Sequence, residues 1–334
     1  MNTSLLLPVS DSSQAGEARR LAAAWTRERG CGPDLAGSVA LVVTELAKNL
    51  ALHTAGGVLL LRNVTTEGNC GIEILSLDSG PGVANFSECL RDGFSTAGTS
   101  GIGLGGVRRA SQAFEVHSRP GVGTALLSQL SDKRSEILRG GFVCGAVSVP
   151  FPGEDACGDT WAVQYLRADR VRLIVGDGLG HGPVAATASR KAVGVFAEGG
   201  AYPLPVLLEM MHEALAGTRG AAVAIAEIDT SAGRVSYVGV GNIAAGIVQH
   251  EKTTSLVSHN GTVGAQIRKV QEFTYPWMPG ATFVMHADGV KSHWKIDSYL
   301  GLAQRHPSLI AGVIYRDYLR TNDDATVVVL RARD

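Results

Sequence analysis

Val175-Gly176-Asp177-Gly178-Leu179-Gly180-His181-Gly182 ends an apolar run on an aspartate inside a glycine-rich turn. Three other stretches in the same half of the chain also set an aspartate in a short Gly- or Asp-flanked turn beside an apolar run: Cys157-Gly158-Asp159-Thr160-Trp161, His286-Ala287-Asp288-Gly289-Val290 and Asn322-Asp323-Asp324-Ala325-Thr326. A strand that stops at an aspartate presents its carboxylate at the sheet end. Several such ends gather oxygen ligands suited to hard divalent cations such as Mg²⁺ or Mn²⁺. Two such ions about 3.5–4 Å apart activate a bridging water and clamp the oxygens of an in-line phosphoryl displacement. A single Asp-Gly is ordinarily a turn, so it is the four together that point to a metal site.

The order of these stretches adds to their wording. Pro152-Gly153-Glu154-Asp155-Ala156-Cys157-Gly158-Asp159-Thr160-Trp161 comes first, then Asp177 to Gly182, Val240-Gly241-Asn242, Asn260-Gly261-Thr262-Val263-Gly264, Ala287-Asp288-Gly289-Val290 and Asp323-Asp324-Ala325-Thr326. This succession, over residues 140–334, resembles the metal-dependent PPM-type serine/threonine phosphatases of the SpoIIE and RsbX group. The resemblance implies carboxylate ligands at Asp159, Asp177, Asp288 and Asp323, a carbonyl ligand at Gly178, and two Mn²⁺ or Mg²⁺ ions. Asp324 is a neighbour of that set. Many larger phosphatases of the superfamily place an acidic histidine two residues after the second aspartate, where this chain has Leu179. His181 is displaced by two and reads first as part of the turn opening the next helix.

The first half carries a second constellation. In Leu41-Val42-Val43-Thr44-Glu45-Leu46-Ala47-Lys48-Asn49-Leu50-Ala51-Leu52-His53, the polar residues Glu45, Asn49 and His53 recur every four positions and share one helix face. Val39, Val42, Val43, Leu46 and Leu50 supply a separate apolar stripe. A strand then runs into Asp78-Ser79-Gly80-Pro81-Gly82, and Gly98 to Gly106 forms a glycine-rich loop whose N–H groups suit phosphates. Gly101, Gly103 and Gly106 also match the dinucleotide fingerprint. That fingerprint needs a buried strand directly before it, and residues 92–98 read as loop.

Glu45/Asn49/His53, Asp78-x-Gly80-x-Gly82 and Gly101-Ile102-Gly103-Leu104-Gly105 in this order resemble the N, G1 and G2 boxes of the Bergerat-fold (GHKL) ATPases. Within them the likeness is to the small anti-sigma and switch serine/threonine kinases of the RsbT type, over about residues 8–130, closing with Gly123-Thr124. The family implies ATP with Mg²⁺ as cofactor, Glu45 as the base that deprotonates a protein hydroxyl and Asn49 as a Mg²⁺ ligand. It implies Asp78 as the adenine anchor, Gly80, Gly82 and Thr124 around the nucleotide, and Gly101, Gly103 and Gly105 in the lid. The implied partner is a STAS-domain antagonist or scaffold protein, and through it a sigma-factor pathway. Two other readings stay open: an ATP-binding sensor or docking module that transfers nothing, and an antagonist that sequesters a sigma factor.

Composition fits both halves. A chain of 334 residues predicts about two domains, and 45% hydrophobic residues suffice for two cores. Lys and Arg number ten against eleven Asp and Glu in residues 1–130, and seventeen against eighteen in 141–334. Neither half is basic enough to track nucleic acid. The five cysteines contain no C-x-x-C pair and read as reduced thiols. Leu5-Leu6-Leu7-Pro8-Val9 is too short for a signal peptide, and no run approaches a membrane helix, so the expectation is a cytoplasmic enzyme. The scattered histidines lack metal-type spacing, and Trp161 and Trp294 read as packing residues.

The expected fold is α+β in two domains. Residues 1–132 form a Bergerat-type α/β sandwich, with helices at 14–29 and 34–53 on one mixed sheet. Residues 133–140 are the linker. Residues 141–334 form a PPM-type αββα sandwich of strand-rich periodicity, with helices at 183–196, 203–217 and 308–318.

Overall fold

The computed structural model describes residues 3–64, 69–86, 103–132, 141–249 and 252–333. Gly101, the rest of the loop over 92–102, Cys89, His250 and the expected linker at 133–140 lie outside them. Residues 4–132 fall in one compact unit and residues 141–333 in another.

The first unit runs β1 (Leu5–Val9), α1 (Gln14–Glu28), α2 (Pro33–His53), β2 (Gly57–Asn63), β3 (Gly71–Asp78), α3 (Gly103–Ala110), β4 (Ala113–Arg119) and β5 (Gly123–Ser131). Its sheet has the order β1-β2-β3-β5-β4. Alternate residues Leu59 and Leu61, Ile72 and Ile74, and Leu126 and Leu130 meet one cluster with Ala22, Val39, Val43, Leu46, Leu50 and Val107 of the helices. Because side chains alternate along a strand, this places the helices over a single face. The α+β class stands. Within it, the sheet expected to be mixed pairs antiparallel throughout, as the short β2–β3 and β4–β5 connections require.

Pro33 at the first position, where no N–H is needed, opens α2. By length and composition α2 also passes for a membrane-crossing helix, against the expectation for this chain, but half of its most apolar window is buried inside the domain. Cys31 and Cys70, both buried, are joined as a disulfide with Cα atoms 5.4 Å apart. This corrects the expectation of reduced thiols for that pair. The fold brings together the α1–α2 turn and the start of β3, which are 39 residues apart in sequence. Cys144 and Cys157 are free.

The second unit runs β6 (Phe142–Val149), β7 (Asp159–Arg167), β8 (Arg170–Gly178), α4 (Gly182–Glu198), α5 (Leu204–Ala214), β9 (Ala221–Asp229), β10 (Arg234–Val240), β11 (Ala244–Gln249), β12 (Lys252–Ser255), β13 (Gly261–Thr262), β14 (Gln266–Ile267), β15 (Phe273–Pro276), β16 (Thr282–His286), α6 (Pro307–Tyr318) and β17 (Ala325–Ala332). Two five-stranded antiparallel sheets result, ordered β15-β10-β9-β8-β7 and β12-β11-β16-β17-β6.

Strand β9 is buried along its whole length. Its Ala222, Ala224, Ala226 and Ile228 face the core between the sheets, with Leu173, Tyr237, Phe283, Met285, Val328 and Leu330. Ala221, Val223 and Ile225 face Ala188, Phe196, Leu207 and Met211 of α4 and α5. On the other sheet α6 packs on β6 and β17. It comes so close that a Cβ at Gly145 would fall 2.0 Å from the Ser308 nitrogen. The four layers are therefore helix, sheet, sheet, helix.

Candidate functional sites

The four sequence-marked aspartates converge at one end of the sandwich. Asp159 opens β7 and Asp177 lies near the end of β8, where the two are direct cross-strand partners. Asp288 follows β16 and Asp323 precedes β17, neighbouring strands of the other sheet, where the Ala287 N–H donates to the Thr326 carbonyl at 3.0 Å. The electrostatics link the two pairs. Burial raises the Asp159 pKa well above the carboxylate range, and Asp177, Asp324 and Asp288 push it further. Burial, then Asp288, Asp323 and Asp324, raise Asp177 to about 8. Burial and Asp323 raise Asp288, while the charge of Arg320 opposes them. Like charges gathered out of water resist ionising together.

Glycine makes this convergence possible. A Cβ at Gly178 would lie 2.0 Å from the Ala185 carbonyl of α4, and one at Gly289 would lie 1.8 Å from the Asp324 carbonyl. Gly178 is held in place by its N–H bond to the Gly158 carbonyl at 3.2 Å.

Three residues of the sequence-marked stretches, given no role there, take one up in the structure. Asn242 donates from Nδ2 to Asp288 Oδ2 at 2.7 Å, so the Gly241-Asn242 turn aims that carboxylate. Asp324, 2% exposed, accepts the Phe151 N–H on Oδ1 at 2.8 Å and the Gly158 N–H on Oδ2 at 2.9 Å. Both its oxygens strap down the loop that leads into Asp159. Glu154, on the same loop, pairs with His181 Nδ1 at 2.7 Å, and the Phe151 ring lies 4.9 Å from that imidazole. His181 is also the residue before α4, with Pro183 in the first turn.

The donor set fits divalent cations. Asp159 is 4% exposed and its Oδ2 has no hydrogen-bond partner, so its charged form is costly unless a proton or a cation neutralises it. Among the described residues no three acidic, imidazole or thiol groups already close on one point as a cage.

In the first unit, α2 and the ends of β3 and β5 form the second candidate site. Glu45 is 8% exposed. Its Oε1 meets Lys48 Nζ at 3.3 Å and its Oε2 accepts the Gly103 N–H at 3.2 Å. Asn49, one turn on, has a buried Nδ2 without a partner. His53, expected on the same face, ends α2 and is exposed. Asp78 ends β3 opposite Thr124 of β5. Its Oδ1 accepts the N–H groups of Gly80 at 2.8 Å and Thr124 at 3.3 Å.

A Cβ at Gly80 would lie 2.8 Å from the Thr54 methyl, and one at Gly82, whose φ is +63°, would lie 2.0 Å from the Arg119 carbonyl. The Asp78 turn therefore closes only with glycine at those positions. Gly103, with φ +58°, starts α3, and Gly105 is buried within it. The unpartnered Asn49 Nδ2, a donor, and the glycine-walled Asp78 turn suit the acceptor oxygens of a nucleotide.

The sequence profile of Stage II sporulation protein E (SpoIIE) matches residues 167–333, and that of the histidine kinase-like ATPase domain matches residues 9–129. The serine/threonine-protein kinase RsbT of Bacillus subtilis (strain 168) is 34% identical over 109 residues, which is 33% of this chain and 82% of the kinase. A solved structure from work on the bacterial stressosome, described as a modular system adapted to control secondary messenger signaling, superposes with a TM-score of 0.54 at 28% identity. It covers 57% of this chain and 99% of its own. RsbX in complex with magnesium superposes with a TM-score of 0.51 at 20% identity, over 57% of this chain and 95% of its own, which shows a shared fold. The chain belongs to the SpoIIE family through its second half, and its first half is a histidine kinase-like ATPase domain related to RsbT.

Proposed function

We propose that this chain is a partner-switching regulator whose second domain removes phosphate from serine or threonine of a STAS-domain protein with Mn²⁺ or Mg²⁺, and whose first domain adds it with ATP. The observation that carries the phosphatase half is the buried, unpartnered Asp159 Oδ2 amid carboxylates held above their ordinary pKa. Asp159, Asp177, Asp288 and Asp323, with the Gly178 carbonyl, would hold two divalent ions. Such ions supply Lewis acidity and a nucleophile from water at neutral pH. Asn242 then aims Asp288, and Asp324 acts through the loop it straps. RsbX, which shares the fold, was solved with magnesium.

For the first domain, Glu45 is the base toward the partner's hydroxyl, Asn49 the Mg²⁺ ligand and Asp78 the adenine acceptor. Gly80, Gly82 and Thr124 shape the pocket; of the three glycines expected in the lid, Gly103 and Gly105 instead open α3, which leaves Gly101 to the lid itself. Fusion of opposed activities would hold both at high effective concentration near one partner. A second reading, ATP as a sensed ligand only, draws on the Glu45 carboxylate being engaged by Lys48 and the Gly103 N–H.

The phosphatase half is tested by phosphate release from a phosphorylated STAS protein by the full chain with Mn²⁺. Release should stop with chelator and fall by orders of magnitude in Asp288→Asn. Equal rates in chelator, or in Asp288→Asn, refute it.

A further inference from the structure

Two arginines lie by the loops that carry the aspartates, Arg320 near Asp288 and Arg219 against Gly180, and they differ in how their charge is used. Arg320 follows α6 and donates its backbone N–H to the Gly289 carbonyl at 2.7 Å. Its charge bears on Asp288, whose pKa it lowers, so it is already matched to a carboxylate of the site.

Arg219 stands apart. It lies in the turn between α5 and β9, in Thr218-Arg219-Gly220, and the turn is tightly built. The Thr218 N–H donates to the Leu215 carbonyl at 3.0 Å. The Thr218 hydroxyl donates to that carbonyl at 2.7 Å and accepts the Gly220 N–H at 3.0 Å. Gly220 has φ +83°, and a Cβ there would lie 2.5 Å from the Thr262 methyl. Its carbonyl accepts the Leu179 N–H at 3.1 Å, which ties this turn to the loop that leaves Asp177 and Gly178.

The arginine head lies over that loop. A Cβ on Gly180 would come within 3.0 Å of Arg219 Nη1, so the guanidinium rests against bare backbone two residues beyond Gly178. The Glu154 carboxylate is paired with His181. Arg219 is exposed and forms no ion pair with any described carboxylate. Here the main chain holds the turn, the side chain takes no part in that, and the donor fork is left for an anion.

We propose that Arg219 receives the non-bridging oxygens of the phosphomonoester at this site and sets its preference for a dianionic phosphoryl group. A planar guanidinium matches two such oxygens, and hydrogen bonds between two ionised groups are the strong ones. The proposal rests on the phosphatase reading above. It deepens that reading by assigning the substrate's charge to a residue that holds no metal.

The experiment uses the full chain with p-nitrophenyl phosphate and Mn²⁺, comparing wild type, Arg219→Gln and Arg219→Lys. Loss of a charge-assisted bond lowers kcat/KM about 10- to 100-fold in Arg219→Gln, chiefly through KM. The inhibition constant of inorganic phosphate rises by the same factor, and Arg219→Lys falls between. The Mn²⁺-induced rise in melting temperature stays that of wild type, since no metal ligand is touched.

Unchanged KM and phosphate inhibition in Arg219→Gln overturn the proposal. So does loss of the Mn²⁺-induced rise, which would assign Arg219 to supporting the loop. Wild type that hydrolyses no phosphomonoester under any metal removes the phosphatase reading itself, and the proposal with it. That failure is recognised without any variant.

Discussion

Asp177→Asn should make the metal-free protein more stable while removing its response to metal. Burial and three neighbouring aspartates raise this carboxyl from 3.8 to about 8, so the fold favours its protonated form. The sign follows from linkage. A raised acid pKa contributes stability that is complete below the unfolded value of 3.8, and that stability is lost as pH climbs through about 8. At pH 7 the unfolded chain has released this proton and the folded chain keeps it. The difference of about three pH units sets a ceiling of roughly 4 kcal/mol on the cost.

An amide of the same shape carries no such cost. After its own burial penalty and the relaxation of its neighbours, a gain of about 1–2 kcal/mol should remain, which raises the melting temperature by about 2–8 °C in a domain of this size. With Mn²⁺ at a hundred times its dissociation constant, wild type gains about 2.7 kcal/mol, and the variant should gain little. Scanning calorimetry of the full chain, with chelator and then with Mn²⁺, reads both effects. If the chelated variant melts at or below wild type, the electrostatic account of the cluster is wrong. A full Mn²⁺ shift in the variant would remove Asp177 from the ligand set.

Two predictions concern the first domain. ATP with Mg²⁺ should raise the melting temperature of the full chain, and Asp78→Asn should abolish the rise because the adenine amino group loses its charged acceptor; an equal rise in the variant would place adenine elsewhere. Glu45→Gln should leave ATP affinity near wild type while phosphotransfer falls about 10²- to 10⁴-fold, whereas Asn49→Ala should weaken Mg²⁺-ATP binding itself. Titration calorimetry and a transfer assay separate these, and equal loss of binding in both variants would contradict the division of roles.

Much of the architecture can be read from apolar periodicity. Ala221–Asp229 and Phe142–Val149 stand out because continuous or alternating apolar runs leave little choice of element. Strand ends are another matter. Trp161 and Gly176 seem natural limits to β7 and β8 because Gly158 and Gly178 resemble turn residues. Pairing nevertheless continues to Asp159 on β7 and, against β9, to Gly178 on β8, and that extra reach is what sets Asp159 opposite Asp177.

Strand β1 is hidden for a different reason. Five residues with a proline show no strand until Leu5–Val9 finds its partner in Gly57–Leu61. The Cys31–Cys70 pair and the straps of Asp324 depend on approaches across 39 and 166 or more residues, for which local spacing carries no signal. The resemblance alone sets Asp323 among the ligands and Asp324 beside them, since the two are adjacent carboxylates with the same local spacing. The physical reason appears only in the fold, where the backbone N–H groups of Phe151 and Gly158 occupy both oxygens of Asp324.

The central claim is that one chain adds and removes phosphate on the same partner. The direct measurement incubates the full chain, wild type and Asp288→Asn, with γ-labelled ATP, Mg²⁺, Mn²⁺ and a STAS-domain protein encoded beside it. Label should build up on the STAS protein with Asp288→Asn. With wild type it should stay low, while labelled inorganic phosphate accumulates only when the STAS protein is present. If Asp288→Asn binds ATP and leaves the STAS protein unlabelled, the claim of opposed activities fails and the first domain is a nucleotide sensor.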